Sequence, residues 1–599
     1  MLSHTVAGHE WINLQWLYDT CLYLLYRIGG ANALICASVV AYVAAFGILI
    51  VSLRRSLGPV ITAVLAAWVA VICEERFEVR PEMISFPLFA LLLLLLLGRQ
   101  EWKGKRAWWL LPIMVLWVNT HALYVVGVFA IGSVLLATIV VDWIPLPAAW
   151  RAGTRLSPGD RKRLAVAGCA ASMATLVNPY LLRGVLFPFD WHARTVLLSR
   201  AGGSSAFATI GEFRPPLAAW FASLSIGSYQ VFLILSLVVV ALACLLTFGP
   251  SSPSRAGNRS SPPLDVAGLL IFVGLAIVSV LAQRNMALFA LGSAPFLGQC
   301  LSILGSKHRI PESLLPRPVR LAASLLLAAG FVMAILFVAS NRYYALGQEL
   351  RECGLGVSEQ RVPMRAAEFA RAMQLPGTLY NDLTAGGYLT WAEPVPGGVY
   401  IDGRLEVYGD FYLQYSQGLA NPAAWDAQAE RFGINTVILF YRWFNRHPLI
   451  RRLNSDPRWS LVYFDEVAVV FVRTAGNGQT IARAQTAFRG EGWHARTLRR
   501  LEQEASPRWR FPLARFAAWD NLGTLYRILE TPDGAAFCYE RLLALDPPSN
   551  RSVPYRLWLA DYYLRQGDRA RAQEQLERAG RSRPDDAAIQ EQLQRLREQ

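Results

Sequence analysis

Through its first 340 residues the chain is dominated by apolar runs, at 31–53, 57–73, 83–98, 107–142, 163–178, 225–248, 265–282, 286–304 and 319–340. A helix needs about 20 apolar residues to cross a bilayer. In lipid it must also satisfy its backbone polar groups internally, so helices are the default reading of such runs. The stretch 107–142 is long enough for a short hairpin, and the pattern predicts about ten spans. Several runs are short and are expected to sit among neighbouring helices or in thinned lipid. Composition agrees: 54% of 599 residues are hydrophobic, an apolar share that a soluble globular chain rarely sustains over such length.

The net charge of +15 would suggest nucleic acid in a soluble protein. Here Lys and Arg gather instead in short loops: "LRRS", "RQEWKGKR", "RAGTRLSPGDRKR", "SSPSRAGNRSSP" and "SKHRIPESLLPRPVR". These fall on alternate sides of successive apolar runs, and the positive-inside rule places them in the cytoplasm. Residues 1–30, "EERFEVRPE", the turn at "NTH", 179–224 and "AQRN" are then outside, as is everything after the last run. Nucleic acid is not expected as a partner. The eight cysteines show no CxxC or metal spacing, and no signal peptide is visible. The chain carries no Walker loop, HExxH or GxSxG beside a triad; no cofactor is assigned, and a divalent metal stays open.

From residue 341 the composition is that of a soluble chain. "GTLYN", "GGVYID", "NTVILF", "WSLVYFD" and "AVVFVR" read as short strands, with "DFYLQYSQGL", "AAWDAQAERFG" and "PLIRRLNSD" as helices between them. A small mixed α/β sheet is expected. From 476 the chain is helical and charged, and Leu522-Gly523, Tyr526 and Pro547 recur as Leu559-Ala560, Tyr563 and Pro584. This resembles two tetratricopeptide repeats, whose period is about 34 residues. A degenerate repeat at 481–506 is expected before them. The predicted organisation is therefore a first extracytoplasmic loop with an interfacial helix (1–30), a polytopic α-helical membrane domain (31–340), an extracytoplasmic α/β domain (341–475) and an all-α repeat domain (476–599).

Polar residues at the ends of membrane spans are costly and each asks for a reason. On a helix Gln15, Asp19 and Tyr23 share one face. Asp19 suits a general base or a metal holder, and equally a wet residue on an interfacial helix. Arg76 and Arg80 lie four apart with glutamates interleaved. Bidentate guanidinium groups suit a lipid phosphate; a salt-bridged loop is the plainer reading. Asn119 and His121 interrupt an apolar stretch, where a lone histidine is more often interhelical than catalytic. Arg284 and Asn285 form an outward turn against the positive-inside bias, which points to an anionic ligand. Asn381, Asp382, Asp402 and Arg404 follow strands, where ligands of open α/β sheets gather; they serve equally well as turn and helix caps.

Together these residues resemble a pattern found in bacterial polytopic glycosyltransferases of the GT-C superfamily, of the mannosyltransferase and aminoarabinose-transferase type, over about residues 1–475. "GHEWINLQWLYD" matches G-x-x-W-x-x-x-x-W-L-x-E, with Asp19 in place of the final Glu. Arg80-Pro81 with Ser85 matches R-P-x-x-x-(S/T); Trp117, Asn119 and His121 match W-x-N-x-H; Asn178-Pro179-Tyr180 matches the first three positions of N-P-(Y/F)-G. Arg284, Asn285, Phe289 and Pro295 match a further outer-turn motif. Asn381, Asp382, Gly386, Gly387 and Tyr388, and then Asp402, Gly403, Arg404 and Tyr408, match N-D-x-x-x-G-G-Y and D-G-R-x-x-x-Y in the soluble domain.

The resemblance implies hexosyl or pentosyl transfer from a polyprenyl-phosphate sugar to an envelope glycan, lipid or protein. The reaction would take place on the outer face of a bacterial cytoplasmic membrane. It implies catalytic roles for Asp19, His121 and Asn119. It implies substrate contacts for Arg76, Arg80, Asn178, Arg284, Asn285, Asn381, Asp382, Asp402 and Arg404. Family members begin with a further span and an acidic motif in the first outer loop, whereas Met1 here falls inside that loop. The chain is accordingly expected to be an N-terminally truncated reading or a homologue without catalysis. The competing expectation is an inactive membrane scaffold whose repeat tail recruits envelope proteins.

Overall fold

The computed structural model describes residues 3–97, 105–190, 211–218, 220–248, 263–307, 317–346, 351–409, 411–441, 447–490, 493–503, 511–547 and 549–598. The chain divides into two compact units, Ile12–Ala328 and Met1–Trp11 with Ala329–Gln599. The first eleven residues belong with the C-terminal unit: His4 N–H donates to Val399 O at 3.2 Å, and Thr5 Oγ1 donates to Tyr400 O at 2.6 Å.

The unit Ile12–Ala328 is helical. Its core is a continuous apolar cluster in which Phe89, Trp117, Tyr229 and Phe289 are fully buried. Four described helices are long and apolar enough to cross a membrane: Trp16–Leu53, Tyr124–Trp143, Leu224–Phe248 and Gln283–Gly305. Pro158–Leu176 and Leu181–Asp190, bent by 92°, make a fifth if counted as one broken span. The sequence expectation was about ten. Pro59–Cys73 and Glu82–Leu96 account for part of the difference, with 15 residues each. That is about 22 Å of helix, against a hydrocarbon core of about 30 Å. Both bury residues among their neighbours, Val69 and Ile72 from one, Leu92 and Leu93 from the other.

The outer helix faces are apolar too. Val40, Val43, Ile139 and Leu245 are each more than half exposed. An apolar face of this kind is unfavourable in water and suits lipid; the helices are those of a membrane protein.

The helix Trp16–Leu53 is broken at Gly29–Gly30, where Gly30 has φ 60° and ψ −152°. Side-chain-bearing residues avoid this backbone region, so the glycine permits the break. The aromatic-rich turn beginning at Trp16 and the apolar run after residue 30 are thus two segments.

In the C-terminal unit four strands, β1 (Leu379–Asn381), β2 (Thr436–Phe440), β3 (Trp459–Phe464) and β4 (Ala468–Arg473), form a sheet of order β1-β2-β4-β3. β1 and β2 are parallel; the other pairs are antiparallel. "GGVYID", read from sequence as a strand, does not join the ladder and makes only an isolated bridge, Ser3 with Val399. Its backbone is held by a side chain instead: Asn381 Nδ2 donates to Ile401 O at 2.7 Å, and Tyr400 N–H donates to Asn381 Oδ1 at 2.9 Å.

The charged tail forms helix hairpins: Gly478–Arg489 with Trp493–Gln503, Leu513–Ile528 with Pro532–Leu543, and Ser549–Arg565 with Arg569–Ser582, before a final helix Ala587–Glu598. The tail is continuous with the sheet. Asn521 Nδ2 donates to Glu466 O at 2.9 Å, and Tyr526 packs edge-on to Phe464.

Candidate functional site

Three polar turns of the helical unit are tied together. Tyr42, on the first long helix, donates to Arg76 O at 2.5 Å and Glu78 O at 2.9 Å, which fixes the turn carrying Arg76 and Arg80. Both arginines reach one carboxylate, that of Glu212: Arg76 Nη1 at 3.2 Å and Arg80 Nη1 at 2.6 Å. Arg80 Nε also contacts Glu78 at 2.9 Å, and Arg76 lies 3.9 Å from Glu82. The turn holding Glu212 is pinned to the Arg284 turn, since Gln283 N–H donates to Arg214 O at 2.9 Å. The Arg284 guanidinium lies over the Phe213 ring, 4.7 Å from its centroid, within electrostatic reach of Glu212, Arg76 and Glu82.

Two guanidinium groups thus hold one carboxylate at helix ends, with a third within electrostatic reach. Burial alone would raise the Glu212 pKa; Arg76 and Arg80 outweigh it and hold the carboxyl below its usual range. Arg76 is itself nearly buried, with 9% of its side chain exposed, so its charge needs a partner in every state of the site.

His121 lies beside this cluster. Its Nδ1 is 2.7 Å from Ser85 Oγ, and Trp117 Nε1 donates to the same oxygen at 2.9 Å. Ser85 then has its own hydrogen to give to Nδ1, and in that arrangement the neutral ring carries its proton on Nε2. Burial holds the imidazole below the ordinary histidine value; Arg284 adds to this and Glu82 opposes it. A neutral imidazole protonated on Nε2 is a hydrogen-bond donor.

Asn119 and Asn178 are committed to the scaffold. Asn119 accepts from Trp16 Nε1 at 2.8 Å and donates to Val115 O at 2.8 Å and Val177 O at 2.7 Å. Asn178 caps its own turn, donating to Thr175 O at 2.8 Å and accepting from Tyr180 N–H at 2.8 Å. Asn285 donates to Val278 O at 3.0 Å across its turn. Asp19 is exposed and accepts from Asn13 Nδ2 at 2.9 Å. Next to it Tyr18 is 4% exposed, and its hydroxyl has no hydrogen-bond partner among the described residues.

The polar set of the C-terminal unit forms joints. Asp382 caps the helix Leu383–Ala392 through Thr384 N–H at 3.0 Å and Ala385 N–H at 3.1 Å, and its other oxygen accepts from Phe440 N–H at 2.8 Å. Asp402 receives Arg404 Nε at 2.8 Å and the Tyr408 hydroxyl at 3.0 Å, and Arg404 lies over the Trp11 ring at 5.0 Å. Gly386 faces this loop so closely that a Cβ there would meet Ile401 O at 2.0 Å. Asn381, Asp382 and Asp402 are buried, with their hydrogen bonds made inside the unit.

Sequence reading passed over Glu212, the residue on which the arginines converge. Its loop carries no motif, and the signal available was electrostatic: outward arginines need an anion. Among the described residues no group of three or more His, Cys, Asp or Glu is placed to hold a metal ion.

No family model and no curated protein matches the chain. Among solved structures it is similar to the Archaeoglobus fulgidus oligosaccharyltransferase in its apo form, with TM-score 0.45 and 13% identity over 73% of this chain and 62% of that one. It is also similar to the archaeal oligosaccharyltransferase AglB from Archaeoglobus fulgidus in complex with an inhibitory peptide and a dolichol-phosphate, with TM-score 0.46 and 13% identity over 76% and 65%. A third is the Archaeoglobus fulgidus enzyme tethered to an acceptor peptide containing the NVT sequon, with TM-score 0.42 and 14% identity over 73% and 62%. The chain spans less than two thirds of the length of these structures.

Proposed function

We propose that this chain is a membrane glycosyltransferase that takes a hexosyl or pentosyl group from a polyprenyl-phosphate donor and gives it to an envelope acceptor on the extracytoplasmic face. One observation carries the reading: Arg76 and Arg80 both bind the single carboxylate of Glu212 at the ends of apolar helices, and Arg284, stacked on the neighbouring Phe213, lies within its electrostatic reach. In a membrane protein this is where a lipid phosphate would lie, and guanidinium groups bind phosphate oxygens bidentately. On this reading Glu212 holds the arginines while the site is empty and gives way to the donor phosphate. His121 donates from Nε2 to a donor oxygen. Asp19 is the acceptor base, and Asn119, Asn178 and Asn285 hold the turns that carry the others. Asn381, Asp382, Asp402 and Arg404 shape the extracytoplasmic domain.

Asp19→Asn tests the base. Loss of a general base typically costs on the order of 10²–10⁴ in rate. The variant is expected to lose that much kcat with donor binding retained, and full activity would remove Asp19 from the mechanism.

The orientation is a separate part of the proposal, resting on the alternation of basic loops with apolar runs. Alkaline phosphatase fused after Gln599 is expected to be active, and fused within 251–263 silent. A silent fusion at Gln599 would put the C-terminal unit in the cytoplasm. We take the tail hairpins as tetratricopeptide-like and as a surface for an envelope protein. The bond from Asn521 to Glu466 ties Leu513–Ile528 to the sheet, so partner contacts are assigned to the later hairpin, Ser549–Arg565 with Arg569–Ser582.

A further inference from the structure

The C-terminal unit contains a cavity of about 680 Å³, lined by the segment 357–360 and the helix Trp493–Gln503. Its volume is within the range of small-molecule sites, about 300–1,000 Å³. Three lining residues are arginines on one helix. Arg500 is bonded to the fully buried Glu466, Arg496 lies over the Trp493 ring at 5.1 Å, and Arg499 is exposed and has no ion pair among the described residues. Opposite in character are Glu352, Glu359, Ser358 and Gln360, which also line the cavity; Glu359 is taken up by Arg365 and Arg500. Gln360 is only 6% exposed, yet its Oε1 has no hydrogen-bond partner among the described residues. A buried acceptor left without a donor is costly, and a ligand N–H or O–H would relieve it.

We infer that this cavity binds an anionic sugar unit: a hydroxyl-rich ring carrying one carboxylate or phosphate. The arginines, Arg499 above all, supply the cation for the anionic group. Gln360 and Ser358 supply acceptors that ring hydroxyls can use. This mixture separates a sugar anion both from a neutral sugar, which leaves Arg499 unanswered, and from inorganic phosphate, which is too small to reach both Arg499 and Gln360 with several hydroxyl donors.

The test is calorimetric titration of the full chain in detergent with glucuronate, glucose 6-phosphate, glucose and inorganic phosphate. At least one sugar anion is expected to bind saturably, about tenfold tighter than either glucose or phosphate. Arg499→Ala is expected to weaken that binding about tenfold, the loss of one charge-assisted bond. Because Arg499 is exposed, its truncation leaves the core intact. Gln360→Leu provides a second reading from the other wall and is expected to weaken the sugar anion more than phosphate. Arg80→Ala, in the helical unit, is expected to leave the titration unchanged, which separates this cavity from the donor site. Unaltered affinity in Arg499→Ala, or phosphate binding as tightly as the sugar anions, would overturn the proposal.

Discussion

Replacing Arg284 by Ala is expected to lower sugar transfer from a polyprenyl-phosphate donor by on the order of 10²–10⁴-fold in kcat/KM, and Arg80→Ala by a similar factor. The donor phosphate carries negative charge into a region of low dielectric, where each fixed cation is worth far more than in water. As the glycosidic bond breaks, charge builds on the departing phosphate, so the arginines matter most in the transition state. Arg284 is held against the Phe213 ring and faces the same carboxylate as Arg76 and Arg80. Lysine at 284 should rescue little, since an ammonium neither stacks on the ring nor forms two parallel bonds. Kinetics of purified variants, with melting temperatures as the folding control, decide the matter. Wild-type kcat/KM in a folded Arg284→Ala chain would separate the arginine cluster from donor binding. A rise in KM alone would assign Arg284 to ground-state binding.

The largest effect on stability is expected at Glu466. Its side chain is fully buried and accepts bonds from Arg365 and Arg500, while its backbone carbonyl accepts from Asn521. Glu359, partly exposed, contacts the same two arginines. Removing the buried partner of an ion pair costs about 3–5 kcal/mol, because the surviving charge stays buried. Arg365 and Arg500 keep some solvent and share Glu359, so Glu466→Ala is expected near 3 kcal/mol. Glu466→Gln, which keeps the shape and an acceptor oxygen, should cost less. Denaturant unfolding of the full chain checks both. A loss under about 1 kcal/mol in Glu466→Ala would mean that Glu359 alone satisfies the arginines.

Local patterns in the sequence reported local structure well. The break at Gly29–Gly30 is visible as a glycine pair between an aromatic-rich segment and an apolar run. Short β-prone apolar runs marked β2, β3 and β4. "GGVYID" misled because β-propensity says nothing about who takes the backbone bonds, and there the Asn381 amide does. Span number was less legible. Pro59–Cys73 is apolar on its buried and its exposed sides alike, yet has only 15 residues, and composition does not fix where such a helix begins and ends.

At the candidate site the sequence motifs pointed to real junctions. Ser85, Trp117 and His121 come from two motifs and share one hydroxyl; Trp16, Asn119 and Val177 come from three segments and share one amide. What the motifs did not distinguish is a residue that holds the turn from one that faces a ligand. Asn119 and Asn178 are of the first kind by their bonds. Glu212 was illegible because its partners lie more than 130 residues away and its own surroundings carry no pattern.

The central claim is transfer from a lipid-linked donor at the arginine cluster. The direct measurement is incubation of the purified chain in detergent with radiolabelled polyprenyl-phosphate hexoses and pentoses and an envelope extract. Label passing to acceptor is then compared between the wild type and Arg284→Ala. The account predicts label transfer by the wild type and a loss of at least a hundredfold in the variant. Equal transfer by both, or none by a folded wild-type chain with any donor tested, would contradict it.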